Sequence, residues 1–198
     1  MLQIRIHGRG GQGVVSAAEI ISVAAFREGK HAQAFPSFGS ERMGAPVIAF
    51  CRIDEREIRL REPIMTPDAL IIQDPTLLHH VDLFQGLAAD GYVLLNSGRS
   101  AEELGIDELF ARVPRRHVCT LAASELAREH LGKPLPSGAL LGGLAALTGW
   151  LQISSVQAAL REKFAGISGE RNAAAALAAF NRTRAKLAAQ EGVHAQAD

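Results

Sequence analysis

Residues 2–13 read LQIRIHGRGGQG, and this stretch decides the fold. Its first six residues predict a short strand over residues 2–7, and the glycines that follow predict a tight turn. Residues 14–28 then carry Val15, Ala18, Ile21 and Ala25 at helical spacing, which predicts a helix. A strand, a glycine turn and a helix in this order give G-x-G-x-x-G the context that a phosphate-binding turn requires.

Glycine at such a turn permits positive φ angles and a close approach of the backbone to a ligand. The N–H groups at the start of the helix are left to face an anion, and the helix dipole favours negative charge there. We therefore expect a binding turn made by Gly8, Gly10, Gly11, Gln12 and Gly13. The alternative is a glycine turn that only lets the helix pack closely on the sheet.

A nicotinamide- or flavin-binding fold places an acidic residue at the end of its second strand, about 20 residues further on. Residues 31–35, which predict that strand, read HAQAF and contain no acid. The phosphate-binding interpretation of the turn survives this comparison, whereas an independent dinucleotide-dependent enzyme becomes a weaker hypothesis.

Predicted strands and helices alternate along the first two thirds of the chain, and helices follow. Further strands are predicted at 47–53, 57–60 (as a hairpin return), 69–73, 92–95 and 117–121. Further helices are predicted from Thr76 to about residue 88, and at 106–112, 122–131, 138–150, 154–164 and 170–190. This order predicts an α/β fold, a Rossmann-like doubly wound, mostly parallel sheet with a helical C-terminal end, in a single domain over residues 1–198.

Composition narrows the classes of function. The 198 residues carry 21 basic and 21 acidic side chains, so the chain lacks the basic excess of a nucleic-acid binder. Its two cysteines, Cys51 and Cys119, are too few for an iron–sulfur cluster or a four-ligand zinc site, and we expect both in the core. With no apolar signal segment at the N-terminus and no stretch long enough to span a bilayer, we expect a cytoplasmic chain without membrane, nucleic-acid or metal partners.

A second unusual stretch, residues 36–46 (PSFGSERMGAP), places Ser40, Glu41 and Arg42 between two glycines. This loop and the glycine turn both follow strands, so both are expected over the carboxyl ends of the sheet, where ligands of open α/β folds bind. An arginine there suits a phosphate or a carboxylate; an exposed surface ion pair is the alternative. Asn96 and Ser97, at the end of another strand, are expected to add hydrogen bonds to the same rim.

GRGGQG at 8–13, followed by FPSFGSERMGAPVIAFCRI at 35–53, resembles the gamma subunit of the 2-oxoacid:acceptor oxidoreductases, the pyruvate:ferredoxin oxidoreductase group. The resemblance covers nearly the whole chain. It implies a subunit of an enzyme that decarboxylates a 2-oxoacid oxidatively, with CoA, to acyl-CoA and CO2. The electrons would pass to ferredoxin, or to NAD through a flavin subunit. Pyruvate is the first candidate substrate, with branched 2-oxoacids and aryl glyoxylate left open.

The resemblance also assigns the cofactors to partner chains. It implies thiamine diphosphate and Mg2+ on alpha and beta subunits, and [4Fe-4S] clusters on the beta subunit and a ferredoxin-like delta subunit. The gamma chain would hold no catalytic residue and no cofactor of its own, and would present its glycine turn and residues 40–42 to CoA. A beta subunit of an indolepyruvate oxidoreductase, and a structural scaffold without any ligand, are the alternatives.

Overall fold

The computed structural model describes residues 1–37 and 43–194, and in that part of the chain six strands form one sheet. The strands are β1 (Leu2–Arg9), β2 (His31–Pro36), β3 (Pro46–Asp54), β4 (Ala69–Ile72), β5 (Tyr92–Asn96) and β6 (Val118–Leu121). Their order across the sheet is β2-β3-β1-β4-β5-β6. Only β3 runs against the others, since it is antiparallel to both β1 and β2 while the remaining pairs are parallel. The predicted α/β class and mostly parallel sheet are confirmed.

The helical C-terminal end is also confirmed. The helices are α1 (Val14–Arg27), α2 (Ala123–Leu131), α3 (Ser137–Thr148), α4 (Ile153–Lys163) and α5 (Ile167–His194). Among these helices, none combines the length and the apolar character needed to cross a bilayer.

The two faces of the sheet are covered differently. The inward side chains of one face, such as Ile4 and Ile6 on β1, pack into one core with α1 and the C-terminal helices. The other face carries a second core, which holds Leu70 and Ile72 of β4 and is covered by the segments before and after β5, at 73–91 and 97–117. The helices therefore press on one face, while short turns of 3-10 helix cover the other.

The helix predicted from Thr76 to residue 88 is wrong, because only a 3-10 turn at Pro75–His79 forms there. The buried guanidinium of Arg5 explains the difference. Its Nη2 donates to the carbonyls of Leu83 (2.9 Å) and Gln85 (2.7 Å), which a continuing helix would have engaged in its own hydrogen bonds. The helix predicted at 106–112 is likewise a 3-10 turn, at Asp107–Ala111.

The hairpin return predicted at 57–60 is also wrong, since these residues have no regular structure. The topology gives the reason. A returning strand needs a free edge on β3, but β3 already lies between β2 and β1. Instead, the chain after β3 crosses the sheet, and Arg52, which is 1% exposed, donates from Nη2 to the Glu62 carbonyl at 2.6 Å.

Candidate functional site

The glycine turn joins the end of β1 to the start of α1 at the carboxyl edge of the parallel strands. Gly13 is the N-cap residue of α1 and adopts the left-handed conformation, with φ 76° and ψ 30°. A side chain on Gly8 would place its Cβ 2.6 Å from Cγ2 of Val14, so this glycine allows the strand and the helix to approach closely. Two glycines of the pattern therefore have different roles: Gly8 allows β1 and α1 to pack closely, and Gly13 adopts the left-handed backbone of the turn.

The start of α1 offers unpaired donors. The N–H groups of Val14, Val15 and Ser16 precede the first intrahelical hydrogen bond, which runs from the Ala17 N–H to the Gly13 carbonyl at 2.9 Å. No side chain in the described residues caps them. Because acidic residues are also missing from the first turn of α1, the helix dipole leaves this end suited to an anion.

A cleft of about 480 Å³ opens at these donors, and we call it the turn cleft. Its lining combines backbone with short or flexible side chains: Arg9, Gly10, Gly11, Gly13, Val14, Val15, Ser16, Met43 and Val47. Met43 is 88% exposed at its mouth. A larger groove of about 1160 Å³ runs along β6, and none of its lining residues belongs to the turn.

The far wall of the turn cleft is tied to the turn by backbone hydrogen bonds. The Gly10 N–H donates to the Ala45 carbonyl at 2.9 Å, and the Gly44 N–H donates to the Gly10 carbonyl at 3.2 Å. Residues 43–45, which precede β3, therefore continue the sheet alongside the glycine turn. The second predicted loop thus ends beside the first, and Ser40, Glu41 and Arg42 lie outside the described residues.

The side chain of Gln12 stabilises the turn from within. Its Oε1 accepts from the Arg9 N–H at 2.8 Å, and its Nε2 donates to Oδ2 of Asp74 at 2.9 Å. The Gln12 carbonyl in turn accepts from the Ser137 hydroxyl of α3 at 2.7 Å. Of the predicted turn residues, Gln12 thus holds the shape of the backbone, while the glycines supply its open surface.

Arg9 is the residue at this site that the sequence interpretation missed. It occupies the first variable position of the glycine pattern and lines the turn cleft, with its side chain 27% exposed. Its Nε donates to Oδ2 of Asp74 at 3.1 Å. The position of a basic residue between two glycines was a sequence signal that could have indicated Arg9. Its partner, Asp74, is too distant in sequence to be predicted from the pattern.

Asn96 and Ser97 do lie at the end of β5, but their side chains serve the fold. Asn96 Nδ2 donates to the Gln73 carbonyl and to the Ser124 hydroxyl, both at 2.8 Å, and Oδ1 accepts from the Ser124 N–H at 3.1 Å. The Ser97 hydroxyl accepts from the Arg99 N–H at 3.0 Å. Asn96 thereby joins β4, β5 and the start of α2.

His7, two residues before Arg9 on β1, is buried and points to the opposite face of the sheet from Ile6. Its Nε2 accepts a hydrogen bond from Nε of Arg5 at 3.0 Å. Burial and the positive charge of Arg5 lower the pKa of His7 from 6.5 to about 3. The imidazole is therefore neutral, and it helps to hold the arginine that shapes the second face.

The two thiols are core residues, as predicted, at 0% exposure for Cys51 and 3% for Cys119. Burial raises the pKa of both. They stand on β3 and β6, which are four strands apart, or roughly 19 Å at the usual strand spacing. They do not fit a shared metal or cluster, and no group of three potential metal-ligating side chains occurs in the described part of the chain.

The fold and the turn together define a class of protein: an α/β domain with an anion-ready glycine turn between its first strand and first helix. A sequence profile of the pyruvate ferredoxin/flavodoxin oxidoreductase family matches residues 3–182. The chain belongs to that family, as the resemblance in its two glycine-containing segments implied.

Relatives with established names agree over nearly their full lengths. A Pyrococcus abyssi protein named pyruvate/ketoisovalerate oxidoreductases common subunit gamma is 48% identical over 184 residues, covering 93% of this chain and 98% of its own. The pyruvate synthase subunit PorC of Methanocaldococcus jannaschii is 45% identical over 181 residues, covering 91% and 96%. These names favour a gamma subunit over the indolepyruvate alternative.

Solved structures share the fold. The pyruvate oxidoreductase subunit PORC of Thermotoga maritima superimposes with a TM-score of 0.76 at 29% identity, covering 91% of this chain and 95% of that one. A 2-oxoglutarate:ferredoxin oxidoreductase of Magnetococcus marinus, solved with 2-oxoglutarate, coenzyme A and succinyl-CoA bound, gives a TM-score of 0.67 at 22% identity. This chain covers 31% of that larger one, and the likeness concerns the fold alone.

Proposed function

We propose that this chain is the gamma subunit of a multi-subunit 2-oxoacid:ferredoxin oxidoreductase, and that its glycine turn contributes to the binding of CoA. The complex converts a 2-oxoacid and CoA to acyl-CoA and CO2 in the cytoplasm and passes two electrons to ferredoxin. Pyruvate is the substrate proposed first, with a branched 2-oxoacid second. Near full-length similarity to proteins named as a subunit gamma and as the subunit PorC of pyruvate synthase supports this assignment.

The cofactors are proposed to reside on other chains. Thiamine diphosphate with Mg2+ supplies the carbanion chemistry on alpha and beta subunits, and [4Fe-4S] clusters on beta and delta subunits carry the electrons. The two thiols of this chain do not suit a cluster, because they are buried on separate strands. The chain's own part is therefore binding and assembly.

The observation that carries the CoA proposal is the turn cleft, where uncapped N–H groups of Val14, Val15 and Ser16 open beside Arg9. A phosphate of CoA fits such a group of donors, because backbone N–H groups, a helix dipole and a guanidinium all favour a multiply charged anion. Met43 gives the cleft an apolar mouth for the uncharged part of the carrier. Held there, CoA would reach with its thiol towards the partner chains.

Co-expression tests the assignment. The tagged chain is produced with its neighbouring reading frames, and the purified material is assayed for thiamine diphosphate, iron and CoA-dependent reduction of ferredoxin with a panel of 2-oxoacids. We expect co-purification of cofactor-bearing chains and turnover of pyruvate or the branched 2-oxoacid 3-methyl-2-oxobutanoate. A chain that purifies alone and oxidises a substrate by itself would overturn the proposal, and activity only with indolepyruvate would move the chain to the alternative enzyme.

A further inference from the structure

The side chain of Arg9 is held in one orientation by three residues from two separate parts of the chain. Its Nε donates to Oδ2 of Asp74 at 3.1 Å, just beyond the end of β4. Its Nη2 donates to the Thr76 hydroxyl at 2.7 Å, and its Nη1 donates to the Gly44 carbonyl at 3.1 Å. An arginine on an exposed rim normally samples many rotamers, so this degree of restraint calls for a reason.

Asp74 is the centre of that restraint, with its side chain 13% exposed. Besides Arg9, it accepts from Nε2 of Gln12 (2.9 Å) and from both the N–H (3.0 Å) and the hydroxyl (2.6 Å) of Thr76. Partial burial alone would raise the pKa of Asp74, but the hydrogen bonds from Thr76 and Gln12, with the charge of Arg9, outweigh it and lower the pKa. The carboxylate therefore stays ionised, and both of its oxygens accept hydrogen bonds.

The same contacts leave part of the guanidinium without a partner among the described residues. Arginine has five N–H donors, and the hydrogen bonds to described residues engage one on each nitrogen, so one donor on each of Nη1 and Nη2 has no partner among them. Arg9 is also a lining residue of the turn cleft, together with the first residues of α1. Two free donors on one planar cation suit the oxygens of a phosphate.

Resting on the proposed function above, we propose that Arg9 contacts a phosphate of CoA in the turn cleft, and that Asp74 is the positioning residue that orients it. The pair makes the turn selective for phosphorylated thiol carriers over uncharged thiols of the same reach. Asp74 stays outside contact with the ligand, because a carboxylate facing a phosphate would repel it. Loss of Arg9 therefore weakens phosphate binding in two ways, because it removes a cation and exposes the Asp74 carboxylate to the phosphate.

The test compares thiols that differ in their phosphates, in the assembled enzyme. CoA, dephospho-CoA (which lacks the 3′-phosphate) and pantetheine (which lacks all phosphates) are each assayed as acceptors and as competitors of CoA. The variants are Arg9→Gln, Arg9→Lys and Asp74→Asn. Arg59→Gln is the matched control, because that guanidinium is 86% exposed and its residue follows the opposite end of β3.

For Arg9→Gln we expect the KM for CoA to rise roughly ten- to hundredfold with kcat within about twofold, as for one charge-assisted hydrogen bond or two. The constants for pantetheine should stay at wild-type values, which also reports that the complex is intact. Arg9→Lys should recover part of the loss, and Asp74→Asn should raise the KM for CoA but not for pantetheine. Persistence of the effect with dephospho-CoA assigns Arg9 to the pyrophosphate, and its disappearance assigns Arg9 to the 3′-phosphate.

An equal loss for CoA and pantetheine would overturn the inference and leave Arg9 with a structural role only. So would an unchanged KM for CoA in Arg9→Gln. Hydrogen exchange of residues 10–16 in the wild-type complex separates that result from failure of the proposed function. Protection by CoA with no effect of Arg9 rejects the inference alone, whereas no protection rejects CoA binding at the turn altogether.

Discussion

Substitution of Gly13 by alanine tests whether the turn needs both its left-handed backbone and its close contact with α3. Gly13 has φ 76°, and a Cβ built there would lie 2.9 Å from the hydroxyl oxygen of Ser137. That hydroxyl donates to the Gln12 carbonyl at 2.7 Å, so it cannot move away without breaking a hydrogen bond. Gly29 offers the matched control, because its φ is 77° and nothing lies within 4 Å of the corresponding Cβ.

Gly13→Ala and Gly29→Ala should differ in the free energy of unfolding by the cost of the contact with Ser137. Left-handed backbone costs an alanine about 1–2 kcal/mol, and both variants carry this cost along with the same gain from a stiffer unfolded chain. Gly13→Ala must also displace the Ser137 hydroxyl, and a lost hydrogen bond of this kind costs about 1 kcal/mol. We therefore expect Gly13→Ala to lower the free energy of unfolding by about 1 kcal/mol more than Gly29→Ala does.

Urea denaturation of the purified chain measures both values. In a Ser137→Ala background the extra cost of Gly13→Ala should vanish, giving a coupling of about 1 kcal/mol between the two sites. Equal costs at the two glycines, or additivity of Gly13→Ala and Ser137→Ala within about 0.3 kcal/mol, would refute the packing argument for this turn.

Three further predictions concern the folded core. The free energy of unfolding should fall as pH drops from 6.5 towards about 3, because His7 binds a proton in the unfolded chain but not when its ring is buried. His7→Gln should reduce this dependence of the unfolding free energy on pH between pH 6.5 and 4.5. Gly142→Ala should destabilise the chain by about 1–3 kcal/mol, measured by denaturation, since its Cβ would collide with the Ala176 carbonyl where α3 crosses α5. Thiol titration of the native chain should find Cys51 and Cys119 unreactive, with both titrating after unfolding; rapid native labelling would contradict their burial.

Local signals predicted most of the fold. The sheet combines short apolar runs, such as residues 69–72, with strands of mixed polarity such as β1, and the six strands were predicted to within a few residues. The glycine turn followed from spacing, because its conformation depends on glycine itself. Spacing does not show which distant residue or strand each segment will contact. The wrong predictions at 57–60 and 76–88 both arise from such contacts.

The wrong helix at 76–88 shows this most clearly. Its apolar residues have helical spacing, but the carbonyls of Leu83 and Gln85 accept hydrogen bonds from Arg5. That arginine is a buried cation on a strand some 80 positions earlier. Arg9 was overlooked for a related reason, since its restraint by Asp74 exists only when β1 and β4 lie side by side. Pairings between distant segments thus decide both the second face of the sheet and the chemistry of the turn cleft.

Hydrogen–deuterium exchange of the assembled complex, with and without saturating CoA, tests the central claim most directly. The amides of residues 10–16 should exchange more slowly with CoA bound, and pantetheine at the same saturation should leave them as they are without ligand. If exchange across this segment is identical with and without CoA while the enzyme turns over, the turn does not meet the carrier and the claim is wrong.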